Sequence, residues 1–185
     1  MTMRWPAVLW LVRHGESAAN VAWAAAAAEG RGHTGLFGRD VDVPLSTLGE
    51  QQADALGRWF ADGHEDGRPE VILTSPYRRA RHTADRFRTA GGCGRCELVT
   101  PDERLREKET GILDGMTQRG VREAHPDQAE FRRVLGKFYH RPPGGESWCD
   151  VILRLRALMD TVSLHYAGKR VMLVAHQLSP PGGRW

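Results

Sequence analysis

The sequence predicts an α/β fold, with helices covering a largely parallel sheet. Two observations lead there. Unbroken apolar runs stand at residues 7–12, 71–73 and 171–175, and helix-periodic segments separate them. A run that is apolar at every position, not at alternate ones, belongs to a strand covered on both faces, as parallel strands are.

The elements follow in order. Ala7-Val-Leu-Trp-Leu-Val12 is the first strand. Ser17 is placed to cap a helix that runs through the alanine-rich stretch to about Glu29, where Gly30 ends it. Residues 30–46 are rich in glycine and charge and read as a long loop of the functional kind. Thr47 with Glu50 has capping-box spacing, and Leu48, Gln52, Ala55, Leu56, Trp59 and Phe60 recur at helical intervals behind it. Residues 63–69 form a turn, and Val71-Ile-Leu-Thr74 is the second strand. Ser75-Pro76 reads as an N-cap followed by proline in the first helical position, opening a helix to about Ala90.

A third strand is expected at 97–99. Residues 100–146 mix charge, glycine and proline with short helical patches such as 128–138, and read as an excursion from the sheet. Ser147 with Asp150 opens a long helix whose apolar stripe is Trp148, Val151, Ile152, Leu155, Leu158, Met159 and Val162, closed by Gly168. Residues 170–175 are the last strand. No internal repeat or linker divides the chain, so a single domain spanning 1–185 is expected.

Composition narrows the function. The 185 residues are 41% hydrophobic, which suits one globular domain with a full core. No apolar run is long enough to cross a bilayer, and the opening residues turn polar too soon for a secretory signal. Three cysteines do not describe the disulfide framework of a secreted domain, so a reducing cytoplasm is the expected setting. Cys93-Gly-Arg-Cys96 lacks the second ligand pair that zinc requires, and reads as a loop between helix and strand. The net charge of +3 is carried almost wholly by arginine, with lysine only at 108, 137 and 169. Arginine suits phosphate and carboxylate oxygens. No dense basic stripe or recognition motif points to nucleic acid, so the expected partner is a small anionic substrate.

In open α/β sheets ligands bind beyond the carboxyl ends of the strands. The first strand runs into Arg13-His14-Gly15-Glu16-Ser17, the second into Ser75-Pro-Tyr-Arg-Arg79, and the last into His176. Two histidines and an arginine pair therefore meet one sheet edge. A neutral imidazole can carry a phosphoryl group as a covalent intermediate. The phosphoryl oxygens stay negative throughout and need preorganised positive donors. Arg13, Arg79, a protonated His176 and the amides of the helix after Ser17 can provide them. The leaving alkoxide needs a proton, for which Glu107 and Glu109 are rivals that spacing alone does not separate. Either would need its pKa raised beside bound phosphate. The remaining histidines, 33, 64, 82, 125, 140 and 165, show no metal-ligand pattern, so neither a metal nor an organic cofactor is expected.

At this point the chain resembles the histidine phosphatase superfamily, also called phosphoglycerate mutase-like. The resemblance rests on Leu11-Val-Arg-His-Gly-Glu-Ser17, Asn20, Pro44-Leu-Ser-x-x-Gly-x-x-Gln-Ala53 and Thr74-Ser-Pro-x-x-Arg-Ala-x-x-Thr-Ala84. It continues through Arg106-Glu107 with Gly111, Gly145-Glu-Ser147 and Val171-x-x-Val-x-His176. It implies a three-layer α/β/α sandwich with a small helical excursion over the site. It implies His14 as the phosphorylated nucleophile, Arg13, Asn20, Arg79 and His176 around the phosphate, and Glu107 as proton donor.

Two departures stand out: Gln177 follows the second histidine where the family has glycine, and Pro180-Pro181 with Gly182-Gly183 stand where it has a helix. A truncated or frame-shifted end is the expectation, with an uncovered apolar sheet face that would favour a homodimer. Of three functions, hydrolysis of a small phosphorylated metabolite is preferred to phosphoglycerate mutase-type transfer, because mutases of this family tend to be longer. A non-catalytic phosphate-binding module is the third.

Overall fold

The computed structural model describes residues 4–63, 67–94, 96 and 99–177. Four strands, β1 (Val8–Arg13), β2 (Val71–Thr74), β3 (Val99–Pro101) and β4 (Arg170–Ala175), form one sheet in the order β1-β4-β2-β3. Every pairing is parallel, with β4 central between Arg13↔Ala175 on one side and Thr74↔Val174 on the other. The third strand lies slightly later than expected; residues 97 and 98 are outside the described residues, as are His64 and the tail 178–185 with its expected helix-free end.

The helices are α1 (Ala18–Ala28), α2 (Thr47–Asp62), α3 (Arg78–Thr89), α4 (Gln118–Ala124), α5 (Pro126–Tyr139) and α6 (Trp148–His165). No described helix is long and apolar enough to cross a membrane. The chain divides into two compact units, each discontinuous in sequence. The first holds the sheet with described residues 4–18, 39–107 and 155–177; the second holds 19–38 and 108–154. Residues 100–107, read as the start of the excursion, therefore stand with the sheet.

In the first unit both faces of the sheet are covered. Trp10, Val12, Ile72, Met172 and Val174 pack with Phe60 of α2 and Ala80, Ala84 and Phe87 of α3. Edge-to-face contacts run from Trp10 to Phe60 and from Phe60 to Phe87, at 5.5 and 5.2 Å between centroids. On the opposite face Leu9, Leu73, Val171 and Leu173 meet Leu155, Leu158, Met159 and Val162 of α6. At the β1 edge Leu11 is 76% exposed, so this side is not wholly covered among the described residues.

Readings of three helices need correction. The buried face of α2 is Gly49, Ala53, Gly57 and Phe60, whereas Leu48 and Trp59 are exposed. Small residues win here because α2 lies close to its neighbours: a Cβ on Gly57 would overlap the Phe87 carbonyl, and one on Gly49 would overlap the backbone of Glu16. The helix cap is Ser46, whose hydroxyl accepts from the Gly49 amide at 3.0 Å. Likewise α3 begins at Arg78, two residues beyond Pro76, with Tyr77 at the N-cap. In α6, Ile152 of the expected stripe is exposed.

Cys93 and Cys96, in the loop after α3, are joined by a disulfide, which the sparse cysteine count does not foretell. Their Cα atoms are 5.6 Å apart, within bridging reach.

The second unit is held by loop pairing. Thr117 donates from Oγ1 to Arg31 O at 2.7 Å and from its amide to Gly32 O at 3.0 Å. Glu146 is buried in an ion pair with Arg154, and its amide donates to Glu109 O at 2.9 Å. Gly111, at φ +56°, sits where a Cβ would overlap the Pro143 carbonyl. Ser147 and Asp150 form the expected reciprocal cap of α6: Asp150 N donates to Ser147 Oγ at 3.2 Å, and Ser147 N donates to Asp150 Oδ2 at 2.7 Å. The patch read at 128–138 is part of α5, which kinks at Gly136.

Candidate active site

Parallel strands bring their carboxyl ends to one edge, and their ladders continue one residue beyond it. His14 N donates to Ala175 O at 3.0 Å, Ser75 N to Val174 O at 2.9 Å, and Asp102 N to Thr74 O at 2.8 Å. His14, Ser75 and His176 are thus set by the register itself. The rings of His14 and His176 stand 5.1 Å apart, and Tyr77 stacks edge-on against His176 at 5.0 Å.

His14 is buried, and its Nδ1 lies 2.7 Å from the Gly15 carbonyl. A carbonyl can only accept, so Nδ1 carries the proton and Nε2 keeps its lone pair. Burial is the main force that pushes the His14 pKa down to about 4; the Gly15 bond opposes this, while the charges of Arg79 and Arg13 add to it. The ring is therefore neutral and nucleophilic at neutral pH.

The loop carrying His14 is fastened from several sides. Gly15 N donates to Thr83 Oγ1 at 3.1 Å, and Thr83 Oγ1 donates to Arg79 O at 2.8 Å. Glu16 N donates to Gln52 Oε1 at 2.8 Å, and Ser46 Oγ donates to Glu16 Oε1 at 2.6 Å. A Cβ on Gly15 would overlap Gly49 and one on Gly49 would overlap Glu16, so neither position has room for a side chain. The residues from Pro44 to Ala53 thus hold the nucleophile's loop against α2. The first free amide of α1, that of Ala18, is taken by the Pro44 carbonyl at 3.1 Å and does not point at an open anion site.

Arg79 is buried, and its guanidinium lies 4.9 Å over the Tyr77 ring. It is paired with Asp40, a residue that the sequence reading passes over as loop. Glu107 Oε2 stands 3.9 Å from Arg79 NH2 and 3.4 Å from His176 Nδ1, while His176 Nε2 is 2.7 Å from Ser75 Oγ. Ser75, read as a helix cap, therefore meets the second histidine. Arg13 is exposed, with its charge felt at His14. The structure brings Arg13, His14, Arg79, Glu107 and His176 together within the first unit; Asn20 is in the first turn of α1, in the second. Glu109 also belongs to the second unit, where its amide donates to Glu146 Oε2 at 3.1 Å.

One donor atom each from His14, Glu107 and His176 lies within 4.8 Å of the others, a trio that could also hold a metal. The sequence reading expects no such cluster; strand pairing creates it from residues far apart in the chain.

A model of the "Histidine phosphatase superfamily (branch 1)" matches residues 9–179. The chain belongs to the histidine phosphatase superfamily. Probable phosphoglycerate mutase GpmB of Salmonella paratyphi C (strain RKS4594) is 32% identical over 176 residues, which cover 92% of this chain and 70% of that protein. The mycobacterial glucosyl-3-phosphoglycerate phosphatase Rv2419c, solved with inorganic phosphate, is 28% identical with a TM-score of 0.63, over 90% of this chain and 71% of the other. The α-ribazole phosphatase of Shigella flexneri, at 23% identity, shares the fold, with a TM-score of 0.71 over 91% of this chain and 73% of its own.

Superfamily membership accounts for why the scattered sequence blocks converge. Each block either forms the strand-end cluster or locks a loop, as Gly49, Gln52 and Thr83 do. Asp40, Ser75, Tyr77 and Thr83 are the residues for which sequence reasoning assigned no role at the site. Only Ser75 and Thr83 left a signal, as members of the Thr74–Ala84 block.

Proposed function

We propose that this chain hydrolyses phosphate monoesters of small metabolites, passing the phosphoryl group to His14 and then to water. The observation that carries the reading is the neutral, buried His14 with its proton fixed on Nδ1 by the Gly15 carbonyl. Nε2 attacks phosphorus and the ester P–O bond breaks. Arg79, Arg13 and His176 hold the phosphoryl oxygens. Glu107 gives its proton to the departing alkoxide, then takes one from the water that attacks phospho-His14 and releases phosphate. This route calls for no metal or organic cofactor, since Arg79 and Arg13 supply the donors for the phosphoryl oxygens.

Hydrolysis is supported by the similarity to Rv2419c, a glucosyl-3-phosphoglycerate phosphatase. The name of the GpmB relative favours a second reading, phosphoryl return to another hydroxyl of a phosphoglycerate. Phosphate release from an aryl phosphate tests the first. The wild-type chain should turn over, and His14→Ala should lose roughly a thousandfold or more. Equal turnover in both would refute the phosphohistidine route. Transfer that depends on a bisphosphoglycerate primer, with little free phosphate, would favour the mutase.

A further inference from the structure

The guanidinium of Arg79 is held by one residue more fully than a charge pair requires. NH1 donates to the main-chain carbonyl of Asp40 at 2.7 Å and to its Oδ1 at 2.9 Å, and NH2 donates to Oδ2 at 3.0 Å. Both NH1 protons are directed at this single residue. A guanidinium offers two edges to an oxyanion, the end edge NH1–NH2 and the side edge Nε–NH2. Asp40 fills the end edge. NH2 is also the nitrogen 3.9 Å from Glu107, whose carboxylate stands in the cluster with His14 and His176. The side edge is the one left toward that cluster.

We propose that Asp40 is a positioning residue for phosphoryl transfer, clamping the end edge of Arg79 so that its side edge meets the phosphoryl oxygens. The inference rests on the phosphohistidine reading given above. Tyr77 lies against the face of the same guanidinium, so edge and face are fixed together. The Asp40 clamp is built to stay. Its carbonyl also accepts from Val43 N at 3.2 Å, in a short turn where Asp42 N donates to Arg39 O at 3.0 Å. A carboxylate that merely filled the site until substrate arrived would have to take this main chain with it. Asp40 also neutralises a buried cation that would otherwise be costly to keep.

The test compares Asp40→Asn, Asp40→Ala, Arg79→Ala and the Asp40→Ala/Arg79→Ala double variant. It reads kcat and KM on an aryl phosphate and the Kd for inorganic phosphate by calorimetry, with circular dichroism to establish folding. Asp40→Asn keeps the shape but sets an amide donor against an N–H, so it carries the comparison if Asp40→Ala does not fold. Both Asp40 variants should lose about tenfold or more in kcat/KM and bind phosphate more weakly. In the Arg79→Ala background the loss of Asp40 should cost nothing further, which a general structural role would not produce. Tighter phosphate binding in Asp40→Asn would make Asp40 a competitor for the site and overturn the proposal. Unchanged kinetics, or losses that multiply in the double variant, would overturn it equally. His14→Ala separates the two levels: if it stays active, the phosphohistidine reading fails. If it is inactive while Asp40→Asn is fully active, only the positioning role fails. Should wild type not turn over the aryl phosphate, the phosphate isotherms decide, with equal or tighter binding in Asp40→Asn counting against the role.

Discussion

The Nδ1 of His14 and the carbonyl of its own neighbour, Gly15, lie 2.7 Å apart, so the nucleophile's tautomer is set by the next residue. The burial of the ring, which outweighs this bond in its effect on the pKa, has a measurable consequence in acid. The unfolded chain protonates His14 near pH 6.5 and the folded chain near 4, so between those values the unfolded state holds more protons. Stability from this group is complete above pH 6.5 and is lost as pH falls toward 4, by about 3 kcal/mol at the limit. Urea midpoints of wild type and His14→Gln between pH 7 and 4 should diverge, with wild type falling more steeply. Parallel curves would show that His14 is not held neutral.

Gly49 faces the backbone of Glu16 with no room for a methyl group. Gly49→Ala should destabilise the chain by about 1–3 kcal/mol and depress turnover, because the Ser46–Glu16 bond beside His14 depends on that approach. Leu48→Ala, one residue earlier and exposed, should change stability by no more than about 0.5 kcal/mol. Similar effects at the two positions would mean that α2 is not closely seated.

Ser147 and Asp150 cap α6 reciprocally, and the Ser147 hydroxyl and amide hold the Asp150 carboxyl down to about 2. Ser147→Ala should cost about 1 kcal/mol in thermal unfolding. The carboxylate's contribution is present above its ordinary value near 3.8 and fades as pH drops toward 2. A variant whose acid unfolding overlays wild type would argue against the cap.

Excess EDTA should leave turnover intact. The trio of His14, Glu107 and His176 could take a cation, but Arg79 stands 3.9 Å from the same carboxylate and Arg13's charge reaches His14. Activity removed by the chelator and restored by a divalent ion would overturn this.

The sheet was readable because β2 and β4 are buried within it and β1, though Leu11 at its edge is exposed, is apolar from Val8 to Val12. His14, Arg79 and His176 were readable because they fall where those strands end. The face of α2 was not, since periodicity gives weight to Leu48 and Trp59, whereas close packing selected Gly49, Ala53 and Gly57. Nor was α4, which is short and carries Gly120 in its buried face. Asp40 was invisible for a different reason. Its meaning lies in a partner 39 residues away, and nothing local distinguishes it from Asp42.

The sheet order also bears on how the protein is made. β1 and β2 do not pair with each other; each pairs with β4, the last of the described strands. On the ribosome the first two strands must wait, unzipped, until residues 170–175 emerge. Until the final segment threads between them there is no sheet centre and no active site. Non-local closure of this kind is slow and leaves apolar strands exposed meanwhile. Nascent chains of this protein should therefore lean on holdase chaperones until β4 has emerged, and translation stalled before Arg170 should yield an inert, aggregation-prone product.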